Sequence, residues 1–209
     1  MPDGLLDHDL GVKIVRNPDG SDSALSQSDE FIPKRIVLTG FMGAGKSTVG
    51  RLLAERLRWD FVDADDAIQE AAGGSIAEIF ARHGEPWFRE LEHQTILRLA
   101  AGDCLVLALG GGAIEDVRTR DLLRTGSGTC LVHLEASLET GLRRCEGTEA
   151  TRPVLANAVA DRSAIQARYA RRLPLYREAH HSVPVDSLTP EAVVDAVMRA
   201  VKMAPGTAL

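Results

Sequence analysis

The chain has no excess of positive charge: 24 Lys and Arg face 30 Asp and Glu, for a net charge of −6. A general nucleic-acid surface would be basic overall or carry a dense Lys/Arg stripe, so no nucleic-acid partner is expected and any anionic ligand must be held by local positive groups. Cysteine is scarce. Cys104, Cys130 and Cys145 are odd in number and lack metal-ligand spacing, and two of them fall in apolar strand-like runs. That excludes a disulfide framework and points to buried reduced thiols in a cytosolic protein. The six histidines are scattered. Even the neighbours His180 and His181 point opposite ways on a strand or a helix, so no ligand cluster is expected. Long apolar runs are missing as well: none approaches the roughly 18 residues of a membrane span. The N-terminus shows no basic stretch followed by an apolar one, so membrane insertion and secretion are disfavoured and a cytoplasmic location is expected.

What is present is an ordinary globular composition, 44% hydrophobic and 26% charged over 209 residues, enough for one domain with a sizeable core and a tail. Residues 1–34 carry seven acidic residues against Lys13, Arg16 and Lys34 and have no periodicity. A mostly disordered extension is expected there, with a short local strand open to residues 10–15. From residue 35 onward strands and helices alternate. Strands are expected over 35–39, 59–63, 104–109, 130–134 and 182–186. Helices are expected over 46–57, from a Ser75-Ile-Ala-Glu78 capping box, and over 85–99, 118–123, 137–144, 163–172 and 176–179. A last helix opens at Thr189-Pro190-Glu191, a cap, a first-turn Pro and an acid. Residues 147–161, rich in Gly, Pro and small side chains, read as a mobile loop. Such alternation predicts an α/β domain over 35–203 with a parallel sheet covered on both faces, followed by a tail at 204–209. Ligands then bind at the carboxyl ends of the strands.

One motif sits at such an end. Gly40-Phe-Met-Gly-Ala-Gly-Lys-Ser47 fits the phosphate-binding loop, between an apolar run and a helical pattern. A Gly-rich turn matching by chance is the competing reading, and the flanking strand and helix argue against it. Gly40, Gly43 and Gly45 let backbone N–H groups turn inward around an anion. Lys46 reaches phosphate oxygens, and the Ser47 hydroxyl ligates Mg²⁺.

The other strand ends converge on the same rim. Asp63-Ala-Asp65-Asp66 follows the second strand; along an extended segment Asp63 and Asp65 face one side, suited to Mg²⁺ and to a hydroxyl proton, while Asp66 faces away. Helix capping competes as a role, more plausibly for Asp66 than for Asp63. Gly110, Gly111 and Gly112 close the third strand, where the lack of side chains lets a ligand lie against N–H groups. Arginine recognises carboxylate and phosphate in two-pronged fashion. Arg89 stands out because aromatic neighbours place it beside an apolar pocket and Glu92 can orient it. Arg152 lies in the presumed mobile loop, from which it could reach the transferring phosphate.

Together the blocks Gly40 to Ser47, Asp63-Ala-Asp65, Gly84-Glu85 with Phe88-Arg89 and Glu92, Gly110 to Gly112, Thr151-Arg152-Pro153 and Arg172-Leu-Pro-Leu-Tyr176 closely resemble shikimate kinases, in order, from about residue 35 to 200. The resemblance implies a P-loop three-layer fold like that of nucleoside monophosphate kinases, with a five-stranded parallel sheet in the order 2-3-1-4-5. It implies transfer of the ATP γ-phosphate to the 3-hydroxyl of shikimate, in aromatic amino-acid biosynthesis, with Mg²⁺ as cofactor, ATP and shikimate as the partners, and a monomer. By position, Gly43, Ala44, Gly45, Lys46, Ser47 and Thr48 serve the phosphates of ATP, with Arg144 and Pro190 on the adenine side. Ser47 and Asp63 serve the metal. Asp65 serves as base, with Lys46 and the lid residue Arg152 (lid about 146–161) as its catalytic companions. Arg89, Arg172 and Gly110 to Gly112 clamp the shikimate carboxylate, Phe80 and Phe88 wall the pocket, and Glu92 orients Arg89. Three features depart from the family pattern: the N-terminal extension, a longer segment between Arg144 and Arg152, and a short loop from Asp186 to Pro190. The competing functions are a same-fold kinase for another hydroxy acid, such as gluconate or aminoshikimate, and a silent nucleotide-binding relative.

Overall fold

The computed structural model describes residues 14–16, 22–24, 33–145 and 162–202. The chain divides into two units, Met1–Phe31 and Ile32–Leu209. In the first, Ile14–Arg16 and Asp22–Ala24 pair antiparallel, Ile14 opposite Ala24. Ile14 and Val15 fall within the stretch expected to form a local strand. Most of the disorder expected for residues 1–34 concerns residues outside those described, as do the loop 146–161 with Arg152 and the tail 204–209.

In the second unit the strands are β1 (Arg35–Thr39), β2 (Asp60–Asp63), β3 (Leu105–Ala108), β4 (Thr129–Glu135) and β5 (His181–Pro184). The helices are α1 (Lys46–Leu57), α2 (Ala64–Ala72), α3 (Ile76–His83), α4 (Glu85–Leu99), α5 (Val117–Thr125), α6 (Leu138–Cys145), α7 (Arg162–Tyr176) and α8 (Pro190–Ala200). The five strands form one parallel sheet in the order β2-β3-β1-β4-β5, the order expected. Strand β1 lies at its centre, with Arg35 beside Leu105 on one flank and Thr129 on the other.

Burial explains why the middle of β1, Ile36 to Leu38, is apolar. Ile36 and Leu38 join Leu53 and Leu57 of α1 and Val194 and Val197 of α8 in one core. Val37, pointing the other way, joins Leu107, Leu131, Ile96 and Tyr176 in a second. Alternate residues of a strand face opposite sides, so the interior positions of a central strand in a three-layer fold are apolar on both faces. A third, much smaller core of Ile68, Ile79 and Phe88 holds α2, α3 and α4 together.

The expected caps are in place. Ser75 Oγ accepts from the Glu78 N–H at 3.3 Å while Glu78 returns a carboxylate to the Ser75 N–H at 2.8 Å. Thr189 caps α8 with Pro190 in its first turn. Two expectations are corrected. Helix α2 begins directly after Asp63, where an extended acidic segment was expected. Helix α7 is continuous to Tyr176 with Pro174 inside it, where a break was expected. The three cysteines are free, and burial pushes the Cys130 thiol up to about 11. Among the described residues no helix is long and apolar enough to cross a membrane.

Candidate active site

The loop between β1 and α1 takes its shape from its glycines. Gly43 and Gly45 have φ of 73° and 90°, in the left-handed region that side chains avoid. A Cβ on Gly43 would also run into the backbone of Gly141 on α6, so the loop is braced from behind. Ala44 is buried, while Thr48 is exposed on the first turn of α1. Lys46 folds back over the loop, its Nζ donating to the carbonyls of Gly40 at 2.8 Å and Phe41 at 3.1 Å. Ser47 Oγ donates to Asp63 Oδ2 at 2.6 Å.

Asp63 thus has two jobs. Its other oxygen, Oδ1, accepts from the N–H of Asp65 at 3.0 Å and caps α2. A capping role competed with a site role in the sequence; one carboxylate has an oxygen for each. The side-by-side pairing of Asp63 and Asp65 on an extended strand is therefore wrong, since Asp65 stands in the first turn of a helix. The helix still delivers it to the rim: a Cβ on Gly110 would collide with Asp65 Oδ1 and lie 3.3 Å from Glu92 Oε1. Asp66 is exposed, 4.0 Å from Arg51.

Opposite the loop, two arginines from distant elements converge on Gly112. A Cβ there would lie 2.8 and 2.9 Å from the terminal nitrogens of Arg89 and 3.1 Å from one of Arg172. Arg89, on α4, donates to Glu92 at 2.7 Å and to Glu85 at 3.2 and 3.3 Å. Burial works against its charge, but Glu92 and Glu85 outweigh it and hold Arg89 above its ordinary range. Glu92 is almost fully buried, which pushes its carboxyl up against the opposing pull of Arg89, with the Asp65 charge adding to the rise. Phe80 and Phe88 stack with centroids 4.4 Å apart, and the Arg89 guanidinium lies 5.3 Å from the Phe88 ring centre.

Arg172 comes from α7 and donates to Glu115 through Nε at 2.8 Å. Tyr176, one turn on, donates its hydroxyl to the carbonyl of Gly111 at 2.6 Å. In a trans peptide the N–H points opposite to the C=O, so this bond turns the Gly112 N–H the other way. Glu115 and Tyr176 are contacts that sequence reading missed. Tyr176 closes the quoted block that begins at Arg172, and Glu115 follows the glycine triplet closely; those positions were the only signal.

On the far side of the loop, Arg144 donates to the carbonyl of Val185 at 2.8 Å and makes a long contact, 3.5 Å, with that of Gly43. Asp186 accepts from the Ser137 N–H at 2.9 Å, and Pro190 is exposed nearby in sequence at the start of α8. The structure therefore brings together the phosphate loop, Asp63, Asp65, the glycine triplet, Arg89 and Arg172. Among the described residues no group of three or more His, Cys, Asp or Glu could hold a metal ion. The Ser47 hydroxyl and Asp63 carboxylate are hard oxygen donors, which fits Mg²⁺, a cation that takes most of its remaining oxygens from phosphates and water.

The chain is similar to known proteins over most of its length. A family model described as shikimate kinase matches residues 42–202. The chain is 38% identical over 179 residues to the shikimate kinase of Parasynechococcus marenigrum, covering 86% of this chain and 92% of that one. It is 46% identical over 168 residues to that of Paramagnetospirillum magneticum, covering 80% and 84%. Among solved structures it superposes on the shikimate kinase from Acinetobacter baumannii in complex with shikimate with a TM-score of 0.72 and 32% identity, covering 83% of this chain and 94% of that one. The chain belongs to the shikimate kinase family.

Proposed function

We propose that this protein transfers the γ-phosphate of ATP to the 3-hydroxyl of shikimate, giving shikimate 3-phosphate and ADP. One observation carries the reading: Asp65 lies against Gly110 while Arg89 and Arg172 converge on Gly112, so a base and a carboxylate clamp stand at opposite ends of one glycine triplet. A ring bearing a carboxylate and a reactive hydroxyl would span that gap.

The roles follow from position. Arg89, Arg172 and the N–H groups of Gly111 and Gly112 hold the carboxylate, with Phe80 and Phe88 against the ring. Asp65 accepts the proton of the attacking hydroxyl as its oxygen bonds to phosphorus and the bond to the ADP oxygen breaks. Lys46 and the loop N–H groups hold the phosphates, and Arg152 supplies a further cation there. Arg144 and Pro190 flank the adenine. Ser47 and Asp63 would hold Mg²⁺, which neutralises charge on the β- and γ-phosphates when bound. The unit acts as a cytoplasmic monomer with residues 35–203 as its kinase domain; light scattering at the mass of a single chain tests the monomer.

Action on gluconate or another hydroxy acid is the weaker reading, because the relatives named above, each over 30% identical, are shikimate kinases. A silent relative would have lost Lys46, Asp65 or a clamp arginine, and all are present. Coupled ADP release across shikimate and a panel of sugars and sugar acids tests the proposal. Release with shikimate above all others is expected; release with another acceptor and none with shikimate would sink it.

A further inference from the structure

Arg172 is a long side chain whose position nothing local dictates, and that side chain is only 12% exposed. Two groups hold it, the Glu115 carboxylate and, through a side-chain hydrogen bond, Tyr176. Glu115 Oε2 accepts from Arg172 Nε at 2.8 Å and from its NH2 at 2.6 Å. The second oxygen, Oε1, accepts from the neighbouring Arg171 through Nε and NH2, both at 2.8 Å. Glu115 ends the short turn Ala113–Glu115 that begins immediately after Gly112. The carboxylate is therefore mounted on the same stretch of backbone that faces the ligand. With one edge of Arg172 engaged, its NH1 faces Gly111 and the Tyr176 hydroxyl; a Cβ on Gly111 would lie 3.8 Å from each. Burial disfavours the Glu115 charge, but the two arginines outweigh it and hold the carboxyl below its ordinary range.

We propose that Glu115 is a positioning residue for the shikimate carboxylate clamp: it fixes the guanidinium of Arg172 over the glycine triplet before the substrate arrives. The inference rests on the reading of Arg172 as a carboxylate ligand. Two effects of Glu115 oppose each other. Its negative charge offsets part of the attraction Arg172 exerts on an anion. Against that, an arginine freed from it would have to be ordered at every binding event, and each immobilised long side chain weakens association. Glu115 binds the Nε–NH2 edge of Arg172, yet NH2 still lies 3.1 Å from a Cβ on Gly112 and NH1 3.8 Å from one on Gly111, so both terminal nitrogens stay at the triplet while the carboxylate fixes their plane, and the gain in order outweighs the loss of charge.

Steady-state kinetics of the full chain separate the two. For Glu115→Ala the KM for shikimate is expected to rise on the order of tenfold, the usual scale for releasing a ligand-holding side chain. The KM for ATP and the thermal midpoint should stay near those of the unmodified protein. Glu115→Gln, which keeps an acceptor oxygen, should rise less, and it carries the test if the alanine variant folds poorly. In the Arg172→Ala background, removing Glu115 should add nothing further to the KM for shikimate, because its effect on the substrate runs through that arginine. An unchanged or lowered KM for shikimate in both Glu115 variants, or additive losses in the double variant, would overturn the proposal. Absence of shikimate turnover by the unmodified protein would instead overturn the functional reading beneath it.

Discussion

Two carboxyls meet beside Gly110, and their surroundings assign them different work. Glu92 is buried and tied to Arg89 at 2.7 Å, so its task is to hold and orient a cation. Asp65 is half-buried at the rim, with its oxygen over the glycine where a hydroxyl would enter. Replacing Asp65 by Asn keeps the shape and removes the proposed base. Turnover is expected to fall about 10²-fold or more, with the KM for ATP nearly unchanged, as measured by coupled ADP release. A variant with near-normal turnover would take Asp65 out of that role. Arg89 was legible in the sequence because its partner, Glu92, sits at helical spacing on the same face. Glu115 was not, because it meets Arg172 across more than fifty intervening residues, and no local pattern encodes such a pairing.

At the scale of elements, the strands and most helices could be read from apolar periodicity and caps, often to within a residue. Helix α2 could not, although its signs were present: an Asp cap, Asp65 and Asp66 in the first turn, Ile68 buried and Gly73 as a left-handed stop. The pull of a strand-end acid toward a metal role hid a helix start. The break expected at Pro174 failed for a different reason. A proline inside a helix costs about 3 kcal/mol, but the side chains on either side of it anchor α7 to the glycine triplet, Arg172 through Glu115 and Tyr176 through the Gly111 carbonyl. Two glycines should respond differently to alanine. Gly112 has an ordinary φ of −98°, so a methyl there only displaces the tips of Arg89 and Arg172. The KM for shikimate should rise about tenfold with the thermal midpoint moving by less than about 2 °C. Gly43→Ala combines a positive φ with a backbone collision against Gly141, so it should lower the midpoint clearly. Equal midpoints for the two variants would contradict this contrast.

For the whole molecule, periodicity predicted a parallel α/β sheet, but the strand order came from the family resemblance, because crossover topology leaves no mark on any single element. One buried group couples the sheet to pH. His133 on β4 is almost fully buried, stacks on Tyr176 with ring centres 5.3 Å apart, and burial lowers its pKa from 6.5 to about 4. The unfolded chain takes up this proton more readily than the folded one. Its contribution is therefore intact above about pH 6.5 and is lost as pH falls toward 4, by roughly 3 kcal/mol at most. Urea midpoints measured across that range should fall less steeply for His133→Asn than for the unmodified protein; parallel slopes would exclude His133 as the source. The unequal sizes of the three cores have another consequence. Helices α2, α3 and α4 share a core of only three buried side chains, Ile68, Ile79 and Phe88, whereas the sheet is clad by two large ones. Ala64 of α2 and Ile96 of α4 also reach into the second core, so α3, held by the small core alone, is the part of this shell whose amide protons are expected to exchange first.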